Sequence, residues 1–226
     1  MRALGPRKSS TRDVGRTKEA MVKERSWLPQ NSKGWVHHSD WPASAGAAPT
    51  EKIYGLVNVV TSDNGMVQVQ IPGVSGDYPV PLSAIFPANE ETTADMATMF
   101  NMSEATVLDN LLQRYMVGEP YTSTGNILMS VNPCRLIPAL YGAESILAYA
   151  GQRVGDRPPH LYAIAEQAYC QLITEQRHQG LVISGVSGAG KTEANKYVMR
   201  YLCWRASHTA GQVGKKLVRA RRSIRA

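Results

Sequence analysis

At 226 residues with 43% hydrophobic side chains, the chain can build one large domain or two small ones around a sizeable core, as an ordinary globular protein does. Its formal net charge of +7 suggests a nucleic-acid or membrane partner until the charge is located. Residues 1–25 carry eight basic against three acidic side chains, and residues 215–226 carry six basic and no acidic ones, so the stretch between them is net acidic. The basic balance thus describes two solvated tails, and nucleic acid is not an expected partner. The cysteines Cys134, Cys170 and Cys203 are odd in number and widely spaced, which suggests neither a disulfide framework nor a zinc site and fits a reducing interior. No apolar run approaches the roughly 18 residues of a membrane span. The N-terminus lacks a secretory apolar region, and Asp13 and Glu19 count against a transit peptide. A cytoplasmic location with no integral membrane segment is expected.

Residues 1–22 are polar and basic without apolar periodicity and read as a disordered tail. Trp27-Leu28-Pro29 and Gly34-Trp35-Val36 are short aromatic patches that suit strands joined by a polar turn, and 40–50 is a loop rich in Ala, Pro, Ser and Gly. Ile53 to Val60 is apolar and β-branched, Asp63-Asn64-Gly65 is a turn signal, and Val67, Val69 and Ile71 alternate with glutamines. This pattern predicts a hairpin with one buried face. With the Pro-Leu segment at 79–87 it makes a small antiparallel β module, in which Trp27, Trp35 and Trp41 serve as core or loop anchors.

From residue 103 the period becomes helical. Val107, Leu108, Leu111, Leu112 and Tyr115 share one face behind a cap at Ser103. Gly125 to Val131 is expected to be a buried strand, ending at Asn132-Pro133. Pro158-Pro159 opens a helix whose face is Leu161, Ile164, Ala165, Ala168 and Leu172. His160, at its start, reads as structural and receives no chemistry. Leu181 to Ser184 is a second expected buried strand.

Immediately after it, Gly185-Val186-Ser187-Gly188-Ala189-Gly190-Lys191-Thr192 matches G-x-x-x-x-G-K-[ST]. Glycines let successive backbone N–H groups turn inward toward phosphate oxygens where Cβ atoms would obstruct them. Lys191 supplies a point charge for the β and γ phosphates. The Thr192 hydroxyl suits Mg²⁺, a hard cation that takes oxygen ligands and keeps waters. The required helix follows, with Ala194, Tyr197, Val198, Tyr201 and Leu202 at helical spacing, and its positive N-terminal end adds to anion binding. A strand pattern before the loop and a helix pattern after it argue against an unliganded glycine turn.

The run GVSGAGKTEANKYVMRYL from Gly185 through Leu202 closely resembles the P-loop and following helix of the myosin motor, with Val186 where that family usually has Glu. VLDNLLQRY at 107–115, YTSTGNILMSVNP at 121–133, RPPHLYAIAEQAY at 157–169 and LVISG before the loop agree in the family's order. RSWLP with GWV resembles the SH3-like module that precedes many myosin motors, so the likeness spans roughly residues 23–206. It implies an α/β fold: a small SH3-like β-barrel module at 23–88, then an incomplete P-loop NTPase (myosin head) core at 89–206. Parallel strands are expected in that core, and 207–226 is a basic tail outside the family. It also implies ATP with Mg as ligand, and an adenine-side loop of Asn132, Pro133, Arg135 and Tyr141. Cys134 replaces the usual aromatic there.

Hydrolysis also needs groups that stabilise the γ-phosphate's developing charge and position a water. The family's switch patterns N-x-N-S-S-R and D-x-x-G-F-E do not occur here, so no catalytic residue is assigned and the chain is expected to be a truncated motor. For the complete family member the resemblance implies an actin-activated ATPase on the cytoskeleton, with actin binding not expected of this fragment. The alternative is a non-enzymatic nucleotide-binding or SH3-like interaction module. A generic P-loop kinase fits less well, because the loop begins near residue 185 behind myosin-like segments.

Overall fold

The computed structural model describes residues 28–46 and 53–223. Trp27, the tail at 1–22 and the far end of the second tail lie outside them. The chain divides into two compact units, one running to Glu91 and including Phe100–Asp109, the other made of Thr92–Met99 and everything from Asn110.

The first unit is a five-stranded antiparallel sheet of β1 (Lys33–His37), β2 (Tyr54–Asp63), β3 (Met66–Gln70), β4 (Asp77–Pro81) and β5 (Ile85–Pro87), in the order β4-β3-β2-β1-β5. The expected hairpin is β2–β3. Its turn falls at Asn64 and Gly65, with φ of 48° and 79°, the double left-handed pair that matches the twist of a tight hairpin. Period-2 alternation buries one face: Val36, Val57, Val59, Val67, Val69, Val80 and Ile85 form a core with Leu28 and Ile71, and Trp41 packs against it. Trp41 lies on Gly55, where a Cβ would stand 2.1 Å from the indole. Only glycine lets the ring seat there.

Helix α1 (Glu104–Met116) begins as expected at Ser103, whose Oγ accepts the Thr106 N–H while Thr106 Oγ1 accepts the Ser103 N–H, at 3.3 and 2.8 Å. Its buried face is the opposite of the predicted one. Thr106, Asn110 and Arg114 are buried, whereas Leu108 and Leu112 are 42% and 52% exposed. The polar groups are inside because each finds partners. Asn110 exchanges two bonds with the Thr93 backbone at 2.8 and 3.1 Å. Arg114 donates to Thr122 Oγ1 and the Tyr121 carbonyl and pairs with Glu119 at 2.8 Å. A satisfied polar group can be buried without the large desolvation loss of an orphan.

In the second unit, β6 (Tyr121–Thr124) and β7 (Ile127–Ser130) form a two-stranded antiparallel hairpin, so Gly125 to Val131 is a turn plus an edge strand and not a buried strand. The short α2 (Pro138–Tyr141) and α3 (Ala143–Tyr149) precede α4 (Leu161–Glu175) and the long α5 (Lys191–Ser223). Among the described residues both sheets are antiparallel. The parallel strands expected of the core are absent there, and Leu181 to Ser184 is irregular, with Val182 93% exposed. A fully buried parallel strand needs neighbours along both edges, and no described strand lies beside this one. The mixed helix and strand content itself is as expected. No helix among the described residues is long and apolar enough to cross a membrane.

Candidate functional site

The glycine-rich loop enters α5 with Lys191 as the helix's first residue. Gly188 and Gly190 have φ of 78° and 90°, and a Cβ on Gly185 would come within 3.1 Å of the Ala189 Cβ, so three positions tolerate side chains poorly. The first intrahelical bond runs from the Ala194 N–H to the Gly190 carbonyl at 2.9 Å. The N–H groups of Lys191, Thr192 and Glu193 therefore have no carbonyl within the helix to bond. Lys191 Nζ folds back over the loop and donates to the carbonyls of Gly185 and Val186, both at 2.8 Å. A fixed ammonium thus sits beside a helix N-terminus, and both features attract anions. Val186, Ser187 and Thr192 are exposed. A cradle that side chains would fill, with free donors and a held cation, fits the phosphates of a Mg-nucleotide.

Asn132 reaches this loop directly. Its Nδ2 donates to the Gly188 carbonyl at 2.8 Å, its Oδ1 accepts the Cys134 N–H at 3.0 Å, and its amide lies 3.8 Å from where a Gly190 Cβ would be. Cys134 is held at a φ of 51°. Pro133 and Arg135 line a separate cavity of about 280 Å³ with Tyr115, Met116, Pro120 and Ile137. Tyr141 takes part in an aromatic cluster instead: its ring stacks on Tyr197 at 3.7 Å and 7°, and its hydroxyl lies 2.6 Å from that of Tyr121. Of the twelve predicted site residues, the eight-residue loop and Asn132 are in contact, while Pro133, Arg135 and Tyr141 face other surroundings.

His160 lies inside the same cluster, 1% exposed, with the rings of Tyr121, Tyr141, Tyr149 and Tyr162 around it. Its Nδ1 accepts the Tyr162 N–H at 3.0 Å, capping α4. Burial pushes its pKa down to about 4, with the Leu140 carbonyl opposing in part. The unfolded chain then takes up a proton near pH 6.5 that the folded chain refuses, so stability falls as pH drops through that window. Between pH 7 and 5 the loss is expected to be about 2 kcal/mol. His160→Asn keeps a capping side chain without the titration. Its urea midpoint is expected to fall less over that interval than the native chain's, and an equal fall would assign the acid sensitivity to other groups.

Helices α4 and α5 are joined through Glu166, which is fully buried. Its carboxylate accepts from Arg205 at 3.0 Å, Tyr201 Oη at 2.9 Å, the Gly151 N–H at 2.8 Å and Cys170 Sγ at 3.3 Å. Burial alone would raise its pKa, but the bonds from Arg205, Gly151, Tyr201 and Cys170 outweigh it and hold the acid below its usual range. Sequence reading missed this network. The available signal was a Glu and an Arg flanking the apolar faces of two successive helices.

The chain belongs to the myosin head (motor domain) family, whose model matches residues 93–222. It is 41% identical over 124 residues to unconventional myosin-VI of Homo sapiens, covering 54% of this chain and 10% of that protein. It is 41% identical over 137 residues to myosin-8 of Arabidopsis thaliana, covering 59% and 9%. Myosin-H heavy chain of Dictyostelium discoideum matches at 33% over 180 residues, 79% of this chain and 9% of its own length. The chain thus spans about a tenth of the length of these relatives.

Proposed function

We propose that Gly185 to Thr192 binds the phosphates of Mg-ATP, and that this chain is the ATP-binding portion of an actin-based motor working in the cytoplasm on the cytoskeleton. The observation that carries the reading is the Lys191 ammonium, fixed by two loop carbonyls at the open end of α5. Membership of the myosin head family supports ATP with Mg as the ligand. When bound, the cation neutralises phosphate charge, and Thr192 is the side chain that would hold it. Lys191 would meet the terminal phosphates, the loop N–H groups would donate to their oxygens, and Asn132 would brace the loop through Gly188. Actin is the partner proposed for the whole motor and not for residues 1–226 by themselves. Catalysis is not assigned to any residue here, because neither switch pattern occurs in the sequence.

The proposed organisation is a tail at 1–22, a module at 23–88, motor residues at 89–206 and a basic segment at 207–226, into which the family match and helix α5 both continue, to 222 and to Ser223. The strand order β4-β3-β2-β1-β5, with a single 3-10 turn at Leu82–Ala84 before the last strand, supports an SH3-like barrel for the module. That observation also favours a second reading, in which the module is an interaction domain and nucleotide binding is incidental.

Calorimetric titration of the chain with ATP, with and without Mg²⁺, tests the first reading. Binding is expected to strengthen with Mg²⁺, and Thr192→Val is expected to remove most of that gain. Absence of ATP binding would leave the interaction module as the surviving reading.

A further inference from the structure

The segment expected to be a basic tail is helical as far as Ser223. Its place in the fold follows from the pairing of α4 with α5. Tyr201 stacks on Tyr162, Arg205 meets Glu166 39 positions earlier, and Thr209 accepts from Tyr169 40 positions earlier. The partners advance together, so the two helices run in the same direction at a nearly constant offset. Helix α4 ends at Glu175, which that offset sets level with about residue 215. The remaining turns of α5 project past the end of α4 by roughly 12 Å, at 1.5 Å per residue.

Uncompensated positive charge collects on this projection. After Glu193 the sequence contains no acidic residue, and Lys215, Lys216, Arg219, Arg221 and Arg222 all fall within 215–223. Nearer the start of α5, Lys196 has Glu193 at 2.6 Å and Arg205 has Glu166 at 3.0 Å. Val213, Leu217 and Ala220 recur at i, i+4 and i+7, a spacing that places these positions on one helical face. Basic positions fill most of the rest of the circumference. A narrow apolar stripe among cations, without acids, is the pattern of a helix that lies along an anionic bilayer surface.

We propose that residues 213–223, the last turns of α5, dock on a bilayer surface rich in anionic phospholipid, with the helix lying in the plane of the headgroups. The apolar stripe selects this occupant. Nucleic acid would engage the cations through its phosphates and gives an apolar stripe nothing to enter. A protein groove that receives a helix reads a row of large anchors, and here the stripe holds one valine, one leucine and one alanine. Shallow burial at the headgroup boundary suits side chains of that size, and each cation near an anionic surface adds its own attraction. The inference is independent of phosphate binding at Gly185 to Thr192.

The experiment sediments the full chain, without nucleotide, with vesicles of phosphatidylcholine alone and with vesicles of phosphatidylcholine and phosphatidylserine in equal parts. The chain is expected to pellet with the mixed vesicles, to stay in solution with the neutral ones, and to bind less as salt is raised. The triple variant Lys215→Gln, Arg219→Gln and Arg222→Gln is expected to bind the mixed vesicles about 100-fold more weakly. Leu217→Gln, which changes no charge, is expected to weaken vesicle binding about fivefold while leaving binding to heparin, a polyanion with no apolar interior, at the native level. Failure of the native chain to pellet with the mixed vesicles overturns the inference. Equal pelleting by the triple variant also overturns it and points to the basic residues of 1–25. Unchanged vesicle binding in Leu217→Gln does the same, since charge alone would then account for the adsorption. Tighter binding to a single-stranded oligonucleotide than to the mixed vesicles would reassign the segment to nucleic acid.

Discussion

Lys191→Ala is expected to leave the chain folded and to weaken Mg-ATP binding by on the order of 100-fold. The side chain is only half-buried, and both its hydrogen bonds go to carbonyls of exposed loop residues, Gly185 and Val186. Removing it opens no cavity in the cluster that holds α4 against α5, so circular dichroism and the urea midpoint should stay close to native. The binding loss follows from charge. The ammonium is the loop's one cation, and a hydrogen bond to a charged partner is worth roughly 1.5–3 kcal/mol. Its loss also frees the two carbonyls to face the phosphates, adding repulsion where there was attraction. Lys191→Arg is expected to recover little, because a planar fork does not replace a compact point charge inside a tight loop. Native-like affinity in Lys191→Ala, measured by titration of a fluorescent ATP analogue, would remove the loop from the binding site.

Glu166→Ala is expected to destabilise the second unit by about 3–5 kcal/mol, the largest stability effect of any single change proposed for this chain. The carboxylate is fully buried and serves four donors from three places: the Gly151 turn, Cys170 on its own helix, and Tyr201 and Arg205 on α5. Deleting it strands a guanidinium, a phenol and a backbone N–H at once. Arg205→Met alone strands the buried carboxylate instead and should cost a similar amount. The double variant Glu166→Leu with Arg205→Met removes both charges, and is expected to be more stable than either single variant, because desolvation then opposes nothing. Hydrogen exchange of the α4 amides reads these changes locally. A double variant no better than the singles would mean that the pair is net favourable beyond its desolvation. Because bonding holds the Glu166 acid below its usual range, the stability it contributes is present above the unfolded carboxyl value of about 4.3 and is lost as pH falls below that.

How much of this was legible beforehand depends on how local each signal is. The β2–β3 hairpin was readable because alternation and a two-residue turn reside in one short stretch, and the same holds for the glycine-rich turn into α5 and for that helix's apolar stripe. Helix α1 was misread in orientation because its buried residues are polar and their partners lie elsewhere in sequence: Asn110 is matched by Thr93 and Arg114 by Tyr121 and Thr122. A hydrophobicity pattern has no access to such pairings. Leu181 to Ser184 failed for the converse reason, since apolar composition states a preference for burial but cannot supply the neighbouring strands. The stacking of Tyr141 on Tyr197 was not legible, because it depends on a helix that begins fifty residues later in the chain.

The seating of α1 through Thr106, Asn110 and Arg114 has a calorimetric consequence. Apolar burial gives unfolding a large positive heat capacity, whereas burial of polar surface contributes with the opposite sign. Loosening this helix should therefore carry a smaller heat-capacity change per residue than melting the valine-lined sheet. Its attachment should be enthalpic, strongest when cold and weakened steadily by warming, while the sheet, held mainly by apolar contacts, follows the curved temperature profile that those contacts impose.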